Sequence, residues 1–203
     1  MIKNIVFDFG NIFLNLDLEG ALNNSLKVLK LKSLPEEVTA VNVLYEQGLI
    51  STEEFIEFYS DNFTHLSTEE IMDAWNFMLK DFPLHRLEFL INLKKTSNYK
   101  LILLSNTNEL HIDWVKKHIS IYDSFKNCFD TFYLSHEIHL RKPNADIFNF
   151  VLKENKIKAK NTLFIDDNSD NIKAAAKLGY HVWNLNPANE DITTLLETKK
   201  ELF

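Results

Sequence analysis

Four short stretches, far apart in the chain, carry side chains that could handle an anion and a divalent cation together. They are Asp8 in Ile5-Val6-Phe7-Asp8-Phe9-Gly10-Asn11, Ser105-Asn106 after Lys100-Leu-Ile-Leu-Leu104, Lys142 before Pro143, and Asp166-Asp167 after Thr162-Leu-Phe-Ile165. Asp8 with the Asp166–Asp167 pair offers hard oxygen ligands of the kind Mg²⁺ takes, while leaving room for its waters. Three crowded carboxylates repel one another, so the set calls for a divalent cation. Ser105 and neighbouring backbone N–H groups can donate to phosphate oxygens. Lys142 supplies a point charge that reaches both a phosphate and Asp8. Phosphoryl transfer needs positioning and charge neutralisation above all, and these residue types supply both.

Such residues meet only if the elements that carry them converge. Each of the three apolar runs is short, β-branched or aromatic, and bounded by a polar turn, which reads as a buried strand of a parallel sheet. In open α/β sheets, ligands bind beyond the carboxyl ends of the strands, where Asp8, Ser105 and Asp166 stand. After the first strand, Ile12 to Asp17 reads as a short extended excursion. From Leu18 to Arg86 the spacing is helical: Leu22, Leu26 and Leu29, then Val38, Val41 and Leu44. Ser51-Thr-Glu-Glu54 and Ser67-Thr-Glu-Glu70 are capping signals for two more helices. From Leu87 on, helices and strands alternate: a helix over 87–96, the strand over 100–104, a helix through Trp114, a strand over 129–134, a loop over 135–142, a helix over 145–154, the strand over 162–165, a helix over 169–178, and a last strand over 181–185. The expectation is an α/β fold, a Rossmann-like parallel sheet made of 1–14 plus 87–203, with 15–86 inserted as a helical cap.

Composition narrows the partners. A net charge of −7 and the absence of Lys/Arg runs argue against nucleic acid. No stretch approaches a membrane span, and the N-terminus carries no charged region followed by an apolar run. Cys128, the single cysteine, fits a reducing cytoplasm and reads as a small buried apolar residue. His111, His136 and His139 lack metal-ligand spacing, and Trp75, Phe77 and Met78 read as helix core.

Taken in order, Asp8 after its strand, Ser105-Asn106, Lys142-Pro143 and Ile165-Asp166-Asp167 resemble the four motifs of the haloacid dehalogenase-like superfamily, and they span nearly the whole chain. The helical insertion resembles that superfamily's C1-type cap. Leu104-Ser-Asn-Thr-Asn-Glu-Leu-His111, Leu134-Ser-His-Glu-Ile-His-Leu-Arg-Lys-Pro143 and Tyr45-Glu-Gln-Gly-Leu-Ile-Ser-Thr-Glu-Glu-Phe55 are similar to the bacterial α-D-glucose-1-phosphate phosphatase group. The resemblance implies a Mg²⁺-dependent phosphatase acting on a small phosphorylated metabolite such as a sugar phosphate. Asp8 would be the nucleophile, forming an aspartyl-phosphate, and a metal ligand together with the Gly10 carbonyl, Asp166 and Asp167. Ser105, Asn106, Lys142, Gly10 and Asn11 would hold the phosphate, with Lys142 stabilising charge. One position departs from the pattern: the superfamily's phosphatases commonly carry a second Asp two residues after the nucleophile, and here that residue is Gly10. General acid–base groups contribute about 10²–10⁴-fold, so the departure favours slow turnover or good leaving groups. Asn11, Asp17 and Glu46 are the nearby candidates to position water or a proton. A 2-haloacid dehalogenase-type hydrolase and a phosphate-binding relative with little turnover are the alternatives.

Overall fold

Strand β1 (Asn4–Phe7) is buried along its whole length and forms the middle of a five-stranded sheet in a computed structural model that describes all 203 residues. β2 (Lys100–Ser105) pairs with one edge of β1 and β4 (Thr162–Asp166) with the other. β3 (Thr131–Leu134) lies outside β2, and β5 (His181–Asn184) outside β4; every pair is parallel. Period-two alternation divides the strand residues between two cores. Ile5, Phe7, Leu101, Leu103, Leu163 and Ile165 pack against α5 (Leu84–Thr96), α6 (Glu109–His118) and α7 (Tyr122–Lys126). Val6, Ile102, Leu104 and Phe164 pack against α9 (Ala145–Asn155) and α10 (Ser169–Lys177) on the opposite face. With both faces covered, the strands can be apolar throughout, the pattern their sequences carry.

Between β1 and α5 run four helices, α1 (Leu18–Val28), α2 (Glu36–Glu46), α3 (Thr52–Asn62) and α4 (Thr68–Asn76). Ser51 and Ser67 close the two capping boxes that the sequence signals. These helices bury a cluster of their own, Leu29, Val38, Tyr45, Phe55, Tyr59 and Ile71, joined by Leu110 of α6. The chain enters and leaves them through a paired crossing in which Lys80 N–H donates to Asn15 C=O at 3.0 Å and Asp17 N–H to Met78 C=O at 2.9 Å. Buried Arg86 staples this crossing to the C-terminal region. Its Nη1 donates to Phe13 C=O and Asn15 Oδ1, and its Nε to Asp191 Oδ2 at 2.9 Å.

β1 ends at Phe7, because after Asp8 N–H donates to Ile165 C=O the chain leaves the ladder. Two local expectations are corrected. Residues 12–14 turn back instead of extending: Phe13 and Leu14 N–H both donate to Phe9 C=O, and Asn11 takes a left-handed φ of 55°. The stretch read as a loop over 135–142 opens with a single helical turn, α8 (Ser135–Ile138), which left-handed His139 ends. A further short helix, α11 (Leu195–Thr198), lies in the C-terminal stretch.

Burial works against ionisation of Asp191, but donation from Thr193, Arg86 and His85 outweighs it and holds the carboxyl below its usual range. A depressed carboxyl contributes stability above its unfolded pKa and loses it as pH falls. Asp191→Asn is therefore expected to cost about 2 kcal/mol at pH 7, with the deficit shrinking below about pH 4, where the unfolded carboxyl titrates. Urea unfolding of both proteins at pH 7 and pH 3.5 checks this.

Candidate active site

The register of β1 against β2 and β4 brings Asp8, Ser105 and Asp166 to one end of the sheet. There they line a cavity of about 430 Å³ with Gly10, Asn106, Lys142 and Asp167. Lys142, whose side chain is 1% exposed, reaches into the middle of this group. Its Nζ donates to Asp8 Oδ1 at 2.7 Å, to Asp166 Oδ2 at 2.7 Å and to Leu104 C=O at 2.9 Å. The carboxylates of Asp8, Asp166 and Asp167 lie within 4.8 Å of one another. Burial drives the Asp8 carboxyl up to about 7; Lys142 opposes this, while Asp166 and Asp167 add to it. Burial likewise raises Asp167, against the donation it receives from Asn11.

Three carboxylates facing one ammonium carry surplus negative charge, and Mg²⁺ fits this donor set. The two members of the acidic pair are not equivalent. Asp166 has no exposure and is saturated by protein donors: Asn168 N–H and Asn171 Nδ2 on Oδ1, Lys142 Nζ and Asn171 Nδ2 on Oδ2. Asp167 accepts from Asn11 Nδ2 on Oδ2 alone. Lys142 engages only Oδ1 of Asp8. Asp8 Oδ2 and Asp167 Oδ1 thus have no partner in the protein, whereas both oxygens of Asp166 are occupied and its carboxylate positions Lys142.

The amides of Asn106 and Asn11 have partners within the protein. Asn106 uses both ends of its amide on the main chain of Lys142, donating to its C=O at 2.9 Å and accepting from its N–H at 3.0 Å. Asn11 is equally committed, since its Oδ1 accepts from Leu16 N–H. Ser105 Oγ is buried and has only a 3.5 Å contact with Asn106 C=O. The backbone N–H groups of Phe9, Gly10 and Asn106, all in the cavity wall, meet no acceptor in the protein. At Gly10 an added Cβ would come 2.5 Å from Leu16 Cδ1, so a leucine fills the space where a side chain would begin. Asp17 caps α1 through the Gly20 N–H.

Some pairings leave no trace in local sequence. Asn171 orients Asp166, and Asp170 is exposed beside Lys173. Helical proximity to the acidic pair was the only signal for Asn171. Arg141 and Glu46 form an ion pair at 2.7 Å on the cavity wall across 95 positions of sequence, a separation that no local pattern reports. His111 is buried, stacks on Trp75 with ring centroids 5.1 Å apart, and is pushed down to about 4 by burial. Trp75 C=O can only accept, so His111 Nε2 carries the proton and Nδ1 accepts from Asn108 Nδ2. Both nitrogens are committed. Cys128 is buried, as expected.

Replacing Lys142 by Met leaves two buried carboxylates facing each other without their cation. The variant is expected to unfold about 3 kcal/mol more easily in urea at pH 7 without metal, with an unchanged far-UV spectrum before the transition.

The sequence profile of the haloacid dehalogenase-like hydrolases matches residues 2–179. A D-ribitol-5-phosphate phosphatase from Bacteroides thetaiotaomicron is 28% identical over 98% of this chain and 100% of its own length. A crystal structure of an enzyme of the same family from that organism, in complex with magnesium and inorganic phosphate, superposes with a TM-score of 0.84 at 33% identity, covering 97% of this chain and 99% of its own. A predicted hydrolase of the family from Porphyromonas gingivalis superposes at 0.79 and 28% identity over 97% of this chain and 98% of its own. With its parallel sheet and the four polar clusters at the strand ends, the chain belongs to the haloacid dehalogenase-like hydrolases.

Proposed function

We propose that the protein is a Mg²⁺-dependent phosphatase acting on the phosphate monoester of a small sugar or polyol. The observation that carries this reading is the juxtaposition of three carboxylates with one buried ammonium at the rim of a cavity that also presents unpaired N–H donors. The relatives support it: one is named for D-ribitol-5-phosphate, and another was crystallised with magnesium and inorganic phosphate. The local similarity to α-D-glucose-1-phosphate phosphatases makes an anomeric phosphate the second substrate to try. Attack on the carbon of a haloacid would leave the surplus carboxylate charge without a purpose.

In this mechanism an Asp8 oxygen attacks phosphorus, the bond from phosphorus to the leaving oxygen breaks, that oxygen takes a proton from solvent water, and an aspartyl-phosphate forms. Water then attacks that phosphorus, releasing inorganic phosphate and restoring the Asp8 carboxylate. Lys142 holds the other Asp8 oxygen and neutralises charge that builds on the phosphoryl group. Ser105 Oγ and the free N–H groups of Phe9, Gly10 and Asn106 orient the phosphoryl oxygens. Asp8, Asp167 and the Gly10 carbonyl would hold Mg²⁺, which supplies further charge neutralisation when bound. Residues 15–86 act as a cap, with helices α1–α4 closing the leaving-group side and limiting water. The reaction belongs to a small metabolite in the cytoplasm.

Two measurements test this reading. Phosphate release from p-nitrophenyl phosphate, D-ribitol 5-phosphate and glucose 1-phosphate is expected to require Mg²⁺ and to fall at least about 10³-fold in Asp8→Asn, which lacks the nucleophile. Wild-type protein that releases no phosphate from any of these esters sinks the proposal. Mg²⁺ is also expected to raise the melting temperature of the wild type but not of Asp167→Asn. Asp166→Asn should instead melt lower before any metal is added, through its lost pairing with Lys142.

A further inference from the structure

Glu46 occupies an unfavourable place for a carboxylate. It is the last residue of α2, whose final turn carries no basic residue, and the negative end of a helix dipole disfavours an acid there. The segment around it is nevertheless fixed on the sheet domain. Ser135 Oγ donates to Glu46 C=O at 2.5 Å, Tyr45 Oη accepts from Leu110 N–H at 3.2 Å, and His139 Nδ1 bonds Gln47 C=O at 3.1 Å. Gly48, at φ +63°, lies so close to His136 that an added Cβ would meet its carbonyl at 2.1 Å. The Glu46 side chain is thus held against the cavity from α2, and Arg141 meets it from the loop that carries Lys142.

The partners of Arg141 leave it with capacity to spare. Nε donates to Glu46 Oε2 at 2.7 Å and Nη1 to Lys142 C=O at 3.1 Å; Nη2 has no acceptor in the protein, and neither has Glu46 Oε1 a donor. Lys142 is sequestered by its three acceptors, so Arg141 is the cation of the cavity wall with N–H groups still to give. Both side chains are about a quarter exposed, at 29% and 24%. An arginine alone would favour a leaving group with a second anion. Paired with a carboxylate, it presents a donor beside an acceptor with no net charge, which matches neighbouring hydroxyls.

We propose that Glu46 and Arg141 form the leaving-group subsite, Arg141 donating to and Glu46 accepting from hydroxyls of a polyhydroxylated alcohol, and that Glu46 excludes leaving groups bearing a carboxylate. The proposal rests on the phosphatase reading and names the residues that choose its substrate. Rejection of an anionic group works because Glu46 cancels the Arg141 charge that would attract it and because a carboxylate offers Glu46 no proton to accept, both effective at a partly desolvated site.

The test compares kcat/KM for D-ribitol 5-phosphate, phosphoglycolate and p-nitrophenyl phosphate, with Mg²⁺, in the wild type and in the near-isosteric Glu46→Gln. The wild type is expected to prefer the ribitol ester to phosphoglycolate. In Glu46→Gln the ribitol ester should lose about tenfold or more relative to p-nitrophenyl phosphate, mainly through KM, while phosphoglycolate gains on the ribitol ester. Glu46→Asp, which keeps the charge, should hold phosphoglycolate low; it carries the same comparison if the Gln variant melts early. Parallel loss on all three esters, or a wild-type preference for phosphoglycolate, overturns the subsite and leaves the phosphatase reading standing. Failure of the wild type to release phosphate from p-nitrophenyl phosphate removes the phosphatase reading itself.

Discussion

The buried ammonium of Lys142 is the interaction on which the rest of the site depends. A lysine with 1% of its side chain exposed survives only if every proton finds an acceptor, and here three different strand ends meet that demand: Asp8 after β1, Leu104 in β2 and Asp166 closing β4. Burial favours the neutral amine, yet the two carboxylates outweigh it and keep Lys142 protonated. The cation thereby ties the centre of the sheet together at the place where like charges would otherwise push it apart. Its own position is set from behind, since Asn106 grips its main chain at both N–H and C=O and Asn171 keeps Asp166 turned towards it. Such positioning residues are as necessary as the charges, because a long side chain otherwise spends its entropy on many conformers.

That dependence explains what was legible in the sequence. Strands announce themselves by composition, and the residue that follows each one is placed by the parallel register, so Asp8, Ser105, Asp166 and Lys142 could be assembled before any coordinates. The four helices between β1 and α5 were equally readable, from leucine spacing and two Ser-Thr-Glu-Glu caps. Roles within the site were less so. Asp166 and Asp167 are adjacent and identical in type, yet alternation along the strand turns one inward to Lys142 and Asn171 and the next outward to Asn11. Asn106 and Asn11 both line or border the cavity, and their amides bond to Lys142, Leu16 and Asp167. Nothing local distinguishes an amide that binds a ligand from one that binds a backbone.

Long-range pairs were invisible for a different reason. Arg141 with Glu46, Arg86 with Asp191, and Trp75 with Asn108 join segments separated by 95, 105 and 33 positions. Each pair joins elements remote in sequence, so its existence depends on how those elements pack and not on either local pattern. The same holds for the turn after Asp8, where Phe9 C=O takes two N–H groups and apolar contact among Phe9, Phe13 and Phe125 at centroid distances of 5.0 Å stabilises what propensity reads as extended chain.

The two halves of the cavity are consequently built by different rules. The side under the sheet is made of strand ends and main-chain donors. The opposite side is made of side chains from α2, the crossing residues Leu16 and Met78, and the loop of Arg141. Leu16 takes the space beside Gly10, so the wall where a proton donor would begin is hydrocarbon, and His111 cannot replace it because both its nitrogens are bonded. On the proposed reading, with no proton donor at position 10, more of the enzyme's selectivity falls on binding the part of the substrate that does not react. Binding energy from that remote part can be used to align the phosphoryl group with Asp8. A site that lacks an acid at position 10 therefore depends more, not less, on the fit between the leaving group and the helices above it.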